Sequence, residues 1–262
     1  MPRGKTARVA AISCTHVPFQ NEHCMETLLQ LLATVNDEKP LTHFVHCGDL
    51  LDAQAASVHD STDHPGHTLL DEYHEAAKVL KEIRLVLPRD CKLVWCLGNH
   101  DDNIKQRNPK RIPADLRDLV DWNKVPHVSD EFRAWKQLPY RNNRDCLYEV
   151  GPLIFYHGFS CGANSDQNEG IQMAMLAGGY AHRLLVRGHT HRPLDITQVR
   201  KSTRIKLPWH VCNVGNTAFD EMPMYMERKS TADWGRGCVV AEAALTGWKE
   251  GRSWDAVLYD LD

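Results

Sequence analysis

Several things are missing from this sequence, and each absence narrows the field. No stretch approaches the run of about 20 apolar residues that a bilayer-spanning helix needs, so no membrane partner is expected. There is no excess of positive charge: the formal net charge of −3 argues against a generic polyanion binder, which would normally be basic. No Cys-x-x-Cys pair is present, which leaves zinc fingers and zinc ribbons without support. The nine cysteines are an odd number scattered through apolar runs, a pattern of reduced thiols in a cytoplasmic setting rather than of a disulfide framework. The apolar part of the opening residues is too short for a signal-peptide core. Repeats, low-complexity linkers and breaks in composition are all lacking, so a single domain over 1–262 is the expectation.

What remains is ordinary in bulk and unusual in one respect. With 42% hydrophobic and 25% charged residues, the chain sits among soluble globular proteins and can bury a sizeable core. Fifteen histidines stand out. Imidazole is the commonest metal ligand, so a metalloenzyme becomes worth testing.

Short apolar runs alternate with amphipathic segments, which predicts an α/β fold. Strands are expected over 8–13, 42–47, 92–97, 153–156, 184–187 and 210–214. The clearest helix covers 69–87, where Leu69, Tyr73, Ala76, Ala77, Leu80, Ile83 and Leu87 recur at three- and four-residue steps before Pro88. Two more helices are predicted over 22–34 and 169–177, and strand and turn chemistry follows Pro193.

The polar residues fall where five of these strands end. Cys14-Thr15-His16 follows the first, Gly48-Asp49 with Asp52 the second, and Gly98-Asn99-His100-Asp101 the third. His157-Gly158 and Gly188-His189-Thr190-His191 close two later ones. Ligands of open α/β sheets gather outside the carboxyl ends of the strands, so five strands delivering His, Asp, Asn and Cys to one rim form a convergent cluster. His189 and His191, two residues apart, lie on one side of an extended segment.

In combination, GD, GNHD, HG and GHTH resemble the calcineurin-like metallophosphoesterase family, with compact phage and bacterial phosphoesterases the nearest likeness. The helix between the second and third motifs and the segment NVGNTAF, 213–219, extend the similarity over most of the chain. The departure is Cys14, where the family normally has the Asp of an Asp-x-His pair. The resemblance implies a layered sandwich of two mixed β-sheets flanked by helices. It also implies two divalent or transition metal ions (Mn, Zn or Fe) sharing Asp49. One ion takes Cys14 and His16 with Asp49 and His191; the other takes Asp49, Asn99, His157 and His189. His100 is implied to face the scissile phosphate without ligating, its imidazole held by Asp101 or Asp52.

The residue chemistry suits phosphoester hydrolysis. A metal ion lowers the pKa of bound water towards about 7, and two ions about 3.5–4 Å apart clamp the attacking and leaving oxygens. Holding two cations so close calls for an anion between them, the part expected of Asp49. His100, with an ordinary pKa near 6.5, suits proton delivery to the leaving alkoxide. A cation would deprotonate Cys14, and a thiolate there favours zinc or iron over magnesium or calcium. A phosphoester substrate is therefore expected, nucleotides or nucleic-acid ends among the candidates. A protein Ser/Thr phosphatase is the alternative within this chemistry, and a catalytically silent binding module the alternative outside it.

Other features read as ordinary. His59, His64, His67 and His74 suit a solvated loop and helix start. The ten Lys and Arg of 103–144 are largely offset by the seven acids of 102–145, although Arg107 or Arg111 could hold a substrate phosphate. The tryptophans at 209, 234, 248 and 254 suit core and sheet packing.

Overall fold

The computed structural model describes residues 5–53, 67–107, 114–178, 182–199, 208–218 and 233–262. Its strands, in chain order, are β1 (Thr6–Ile12), β2 (His43–His46), β3 (Lys92–Cys96), β4 (Lys136–Leu138), β5 (Tyr148–Val150) and β6 (Leu153–Phe155), followed by β7 (Leu184–Arg187), β8 (Leu194–Gln198), β9 (His210–Asn213), β10 (Gly237–Ala244) and β11 (Trp254–Asp260). The helices are α1 (Glu22–Glu38), α2 (Leu69–Val86), the single turn α3 (Asn99–Asp102), α4 (Ser129–Arg133) and α5 (Ser165–Leu176).

The strands form two mixed sheets, one ordered β11-β10-β1-β2-β3-β4 and the other β5-β6-β7-β9-β8. In the first, β1 to β4 run parallel and β10 adds antiparallel to β1. In the second, β6, β7 and β9 are parallel, with β5 and β8 antiparallel at the edges. The alternation of side chains along each strand sorts them between layers. Val9, Ala11, Val45, Val94, Phe155, Val186 and Cys212 fill the space between the sheets. Ile12, Phe44 and Trp95 turn the other way and pack beneath α1 and α2, while Ile154, Leu185 and Val211 pack beneath α5. The result is the α/β sandwich of two mixed sheets flanked by helices. Among the described residues no helix is long and apolar enough to cross a membrane.

Local sequence explains the helix limits. The Thr68 hydroxyl accepts from the Asp71 N–H at 3.2 Å and the Asp71 carboxylate accepts from the Thr68 N–H at 2.8 Å, a capping box that starts α2. Asn21 caps α1 by accepting from the Cys24 N–H at 2.6 Å. Two limits differ from expectation. The helix predicted over 22–34 continues to Glu38, because Val35 prolongs its buried stripe of Cys24, Leu28 and Leu32. The helix predicted over 169–177 starts at Ser165, because a charged residue, Glu169, lies on its buried face and interrupts the apolar pattern. Trp209 and Trp254 are buried as expected, while Trp234 and Trp248 are half-buried. His67 and His74 are exposed; His59, His64 and Arg111 lie outside the described residues, as does the side chain of Arg107.

The parallel strands of both sheets finish at one rim, where buried polar groups join their loops. His46, the last residue of β2, has no exposed surface, and its Nε2 lies 2.8 Å from the Thr15 hydroxyl. That hydroxyl in turn lies 2.8 Å from the hydroxyl of Thr217. Burial, with a smaller contribution from His157, pushes the His46 imidazole down to about 3. The ring is neutral in the folded state and ionises near 6.5 when unfolded, so its contribution to stability is whole above about pH 6.5 and lost as pH falls towards 3. Melting temperature should therefore drop across that interval, and a His46→Gln protein should lose less on the same descent. An unchanged slope between the two proteins would contradict this assignment.

Candidate metal centre

Three of the five rim loops are forced through unusual backbone. Cys14, His16, Asp49, His189 and His191 have φ of 54°, 48°, 52°, 72° and 59°, the left-handed region that ordinary residues avoid at a cost of roughly 1–2 kcal/mol each. Non-local bonds hold them there. The N–H groups of Cys14, His16 and Val17 donate to the carbonyls of Gly48, Asp49 and Leu50 at 2.8, 3.0 and 2.8 Å. Thr217 N–H donates to the Cys14 carbonyl at 3.2 Å, and Gly188 N–H to that of His157 at 3.0 Å.

The side chains brought together are those singled out in the sequence. The Asp49 Oδ2 atom lies 3.1 Å from His157 Nε2 and 3.8 Å from His16 Nε2. His157 Nε2 is also 3.1 Å from His189 Nδ1 and 3.2 Å from Asn99 Oδ1. On the other side of Asp49, His16 Nε2 and His191 Nε2 are 3.1 Å apart. Cys14 offers its sulfur to both sides, grouping within 4.8 Å with His16 and His191 and, equally, with Asp49 and His157. His100 stands beside the cluster, its ring edge-on to His16 at 4.7 Å between centroids.

The ring protons are committed elsewhere. His157 Nδ1 donates to the Cys47 carbonyl at 2.7 Å, and His16 Nδ1 donates to the Asp52 carboxylate at 2.9 Å. Neutral imidazoles bonded in this way present bare lone pairs at Nε2. Those lone pairs point at the carboxylate of Asp49, the amide oxygen of Asn99 and one another. A cluster of imidazole nitrogens, a carboxylate and an amide oxygen at such distances fits a divalent cation on each side of Asp49.

The electrostatics agree with that donor set. Burial, followed by His157, pushes His189 down to about 3, and burial, followed by His16, holds His191 well below its ordinary value. Both rings are therefore neutral and able to ligate. Burial and then Asp49 push the Cys14 thiol far up, so a thiolate at this position requires a cation beside it. For His100, burial favours the neutral ring, but Asp49 and Asp52 overcome it and raise the pKa.

The two acids left open as partners of His100 have separate tasks. His100 Nδ1 donates to the Asp52 carbonyl at 2.7 Å, with the Asp52 carboxylate 3.6 Å away. Asp101 instead gathers four donors: the N–H groups of Asp49, Leu51 and Gly98 at 2.9, 3.0 and 2.8 Å, and the Trp95 indole at 3.1 Å. Asp101 thus locks the second loop to the third.

Sequence reasoning missed a further set. Glu169 accepts from the N–H groups of Phe159 and Ser160 at 2.9 and 3.0 Å and pairs with buried Arg187 at 3.2 Å, which fixes the loop after His157. Trp234 stands edge-on to His191 at 4.3 Å between centroids, a neighbour of the cluster where core packing was expected. Cys161 places its sulfur 2.9 Å from His189 Nε2. Only Glu169 left a signal, as the charge on the buried face of α5.

The sequence profile of the calcineurin-like phosphoesterase family matches residues 7–193. Among solved structures, Vps29 of Chaetomium thermophilum, complexed with a RaPID-derived cyclic peptide, is similar at 10% identity over 98% of each chain, with a TM-score of 0.42. A 5'-nucleotidase precursor from Thermus thermophilus is similar at 12% identity over 98% of this chain and 54% of its own, with a TM-score of 0.46. Nuclease MPE of Pseudomonas putida is similar at 12% identity over 89% of this chain and 83% of its own, with a TM-score of 0.37. No curated protein gives a significant match.

Gly98 provides a direct test of how tightly the cluster is built. A Cβ there would sit 2.1 Å from Asp49 Oδ1 and 2.5 Å from the Asp49 backbone nitrogen. Gly98→Ala should cost ~1–3 kcal/mol by overpacking and weaken metal retention by displacing the carboxylate. Denaturant titration alongside elemental analysis checks both; wild-type values in each would contradict the geometry.

Proposed function

The chain belongs to the calcineurin-like phosphoesterase family, and from that premise we propose that it is a dinuclear-metal hydrolase of phosphodiesters or phosphomonoesters, nucleotides and nucleic-acid ends among its substrates. One observation carries this reading: ring nitrogens, a carboxylate and an amide oxygen from five loops converge within 3.1–3.8 Å on the two sides of Asp49. Cys14, His16 and His191 with Asp49 would hold one ion; Asn99, His157 and His189 with Asp49 would hold the other. Bound there, such ions supply Lewis acidity to the phosphoryl oxygens and a nucleophile at neutral pH. The sulfur of Cys14 biases the choice towards zinc or iron, with manganese the third candidate. All nine cysteines lie outside disulfides, which supports work in a reducing cytoplasm as one domain.

The protein's own groups do the rest. Asp52 and the Cys47 carbonyl fix the rings of His16 and His157 with Nε2 turned inwards. His100 is the acid. Its Nδ1 proton is held by the Asp52 carbonyl, so Nε2 is the nitrogen that can give a proton to the leaving oxygen. Its raised pKa keeps more of the ring protonated near neutrality, which suits donation.

Hydrolysis of p-nitrophenyl and bis-p-nitrophenyl phosphate, with and without added manganese, tests the proposal. Asp49→Ala should abolish turnover and metal binding, and His100→Ala should cut kcat by about 10²–10⁴ while retaining metal. Turnover that survives Asp49→Ala would overturn the assignment. Cys14→Asp should keep activity and shift its metal preference towards manganese; an unchanged metal content and preference would remove Cys14 from the ligand set.

A further inference from the structure

The loop after His157 turns back towards the fifth motif and sets Cys161 against His189, sulfur to Nε2, at 2.9 Å. The opposite ring nitrogen, Nδ1, faces His157 Nε2 at 3.1 Å, inside the acceptor cluster. This approach is built into the fold. Glu169 takes the N–H groups of Phe159 and Ser160 and, at 2.8 Å, the Ser160 hydroxyl. Arg187 donates to the Ser160 carbonyl at 3.1 Å, and Arg192 donates to the Cys161 carbonyl at 2.5 Å. Loop, helix and GHTH segment are thereby bound into one unit.

A neutral imidazole carries one ring proton. His189 can present a lone pair at Nδ1 only when that proton sits on Nε2, and a proton on Nε2 needs an acceptor. For His16 the corresponding acceptor is the Asp52 carboxylate, and for His157 it is the Cys47 carbonyl. For His189 the neighbour at this distance is the sulfur of Cys161. We propose that Cys161 is a positioning residue whose sulfur accepts a hydrogen bond from the Nε2–H of His189 and so keeps Nδ1 turned, with its lone pair bare, towards the ion shared with Asn99 and His157. This rests on the dinuclear centre proposed above.

Two consequences follow from the chemistry of the acceptor. Sulfur accepts hydrogen bonds weakly, so the ion on the His189 side is held less firmly than an oxygen partner would allow. Cys161 is also the exposed cysteine of the nine, which puts this support within reach of solvent while Cys14 stays buried.

The test follows metal rather than turnover. Wild-type, Cys161→Ala and Cys161→Asn proteins are loaded with zinc, dialysed against graded chelator, and measured for metal per chain. Cys161→Ala should lose one of its two ions at about tenfold lower chelator strength, with the second ion unaffected. Cys161→Asn, whose neutral amide oxygen can accept the same hydrogen bond, should restore retention. Cys161→Ala holding both ions as the wild type does would overturn the inference, as would a loss that Cys161→Asn fails to recover. A wild-type chain that binds no zinc, or a chain whose zinc is undiminished by Asp49→Ala, would overturn the metal centre and this inference together.

Discussion

The structure depends on a single buried carboxylate. Asp49 has imidazoles on both flanks, His16 and His157, each with Nε2 turned inwards and Nδ1 engaged by an acceptor on the far side. Neither half of that arrangement is favourable alone. Lone pairs aimed at one another repel, and a carboxylate among them needs positive charge to offset its burial. A pair of cations, one on each side of the shared anion, resolves both problems at once. On this account the metal-binding chemistry and the stability of the rim are the same interaction.

Keeping five loops within reach of that carboxylate falls to groups one step further out. Parallel strands from both sheets deliver the loops to one edge, but strands alone place a side chain only approximately. Asp101 draws the second and third loops together through four N–H donors. Arg187 and Glu169 bind the fourth loop to α5. Thr15, His46 and Thr217 tie the first loop to the turn after β9. These buried polar links offset the left-handed backbone at Cys14, His16, Asp49, His189 and His191, and they are what allows so many strained residues to meet in one place.

Much of this was legible in the sequence. Strands buried on both faces read as short apolar runs, and those runs stop where the polar ligands begin, so the rim could be located from residue types alone. The eight residues named from the motifs do gather there, with Cys14 standing where a carboxylate is usual. The division of labour between Asp52 and Asp101 was not legible, because both follow their motifs closely and only the path of the turn decides which one reaches a ring. The start of α5 was hidden by Glu169, whose charge is explained by an arginine 18 positions later. Cys161 and Trp234 carry no local signature at all: each acquires its meaning from a histidine that is distant in the sequence.

Magnetic resonance of the manganese-loaded protein tests the shared carboxylate most directly. Two ions joined through Asp49 should give the exchange-coupled spectrum of a dinuclear pair, and that coupling should vanish in Asp49→Asn. A spectrum of isolated manganese at full loading, or a coupled signal that persists without Asp49, would contradict the account.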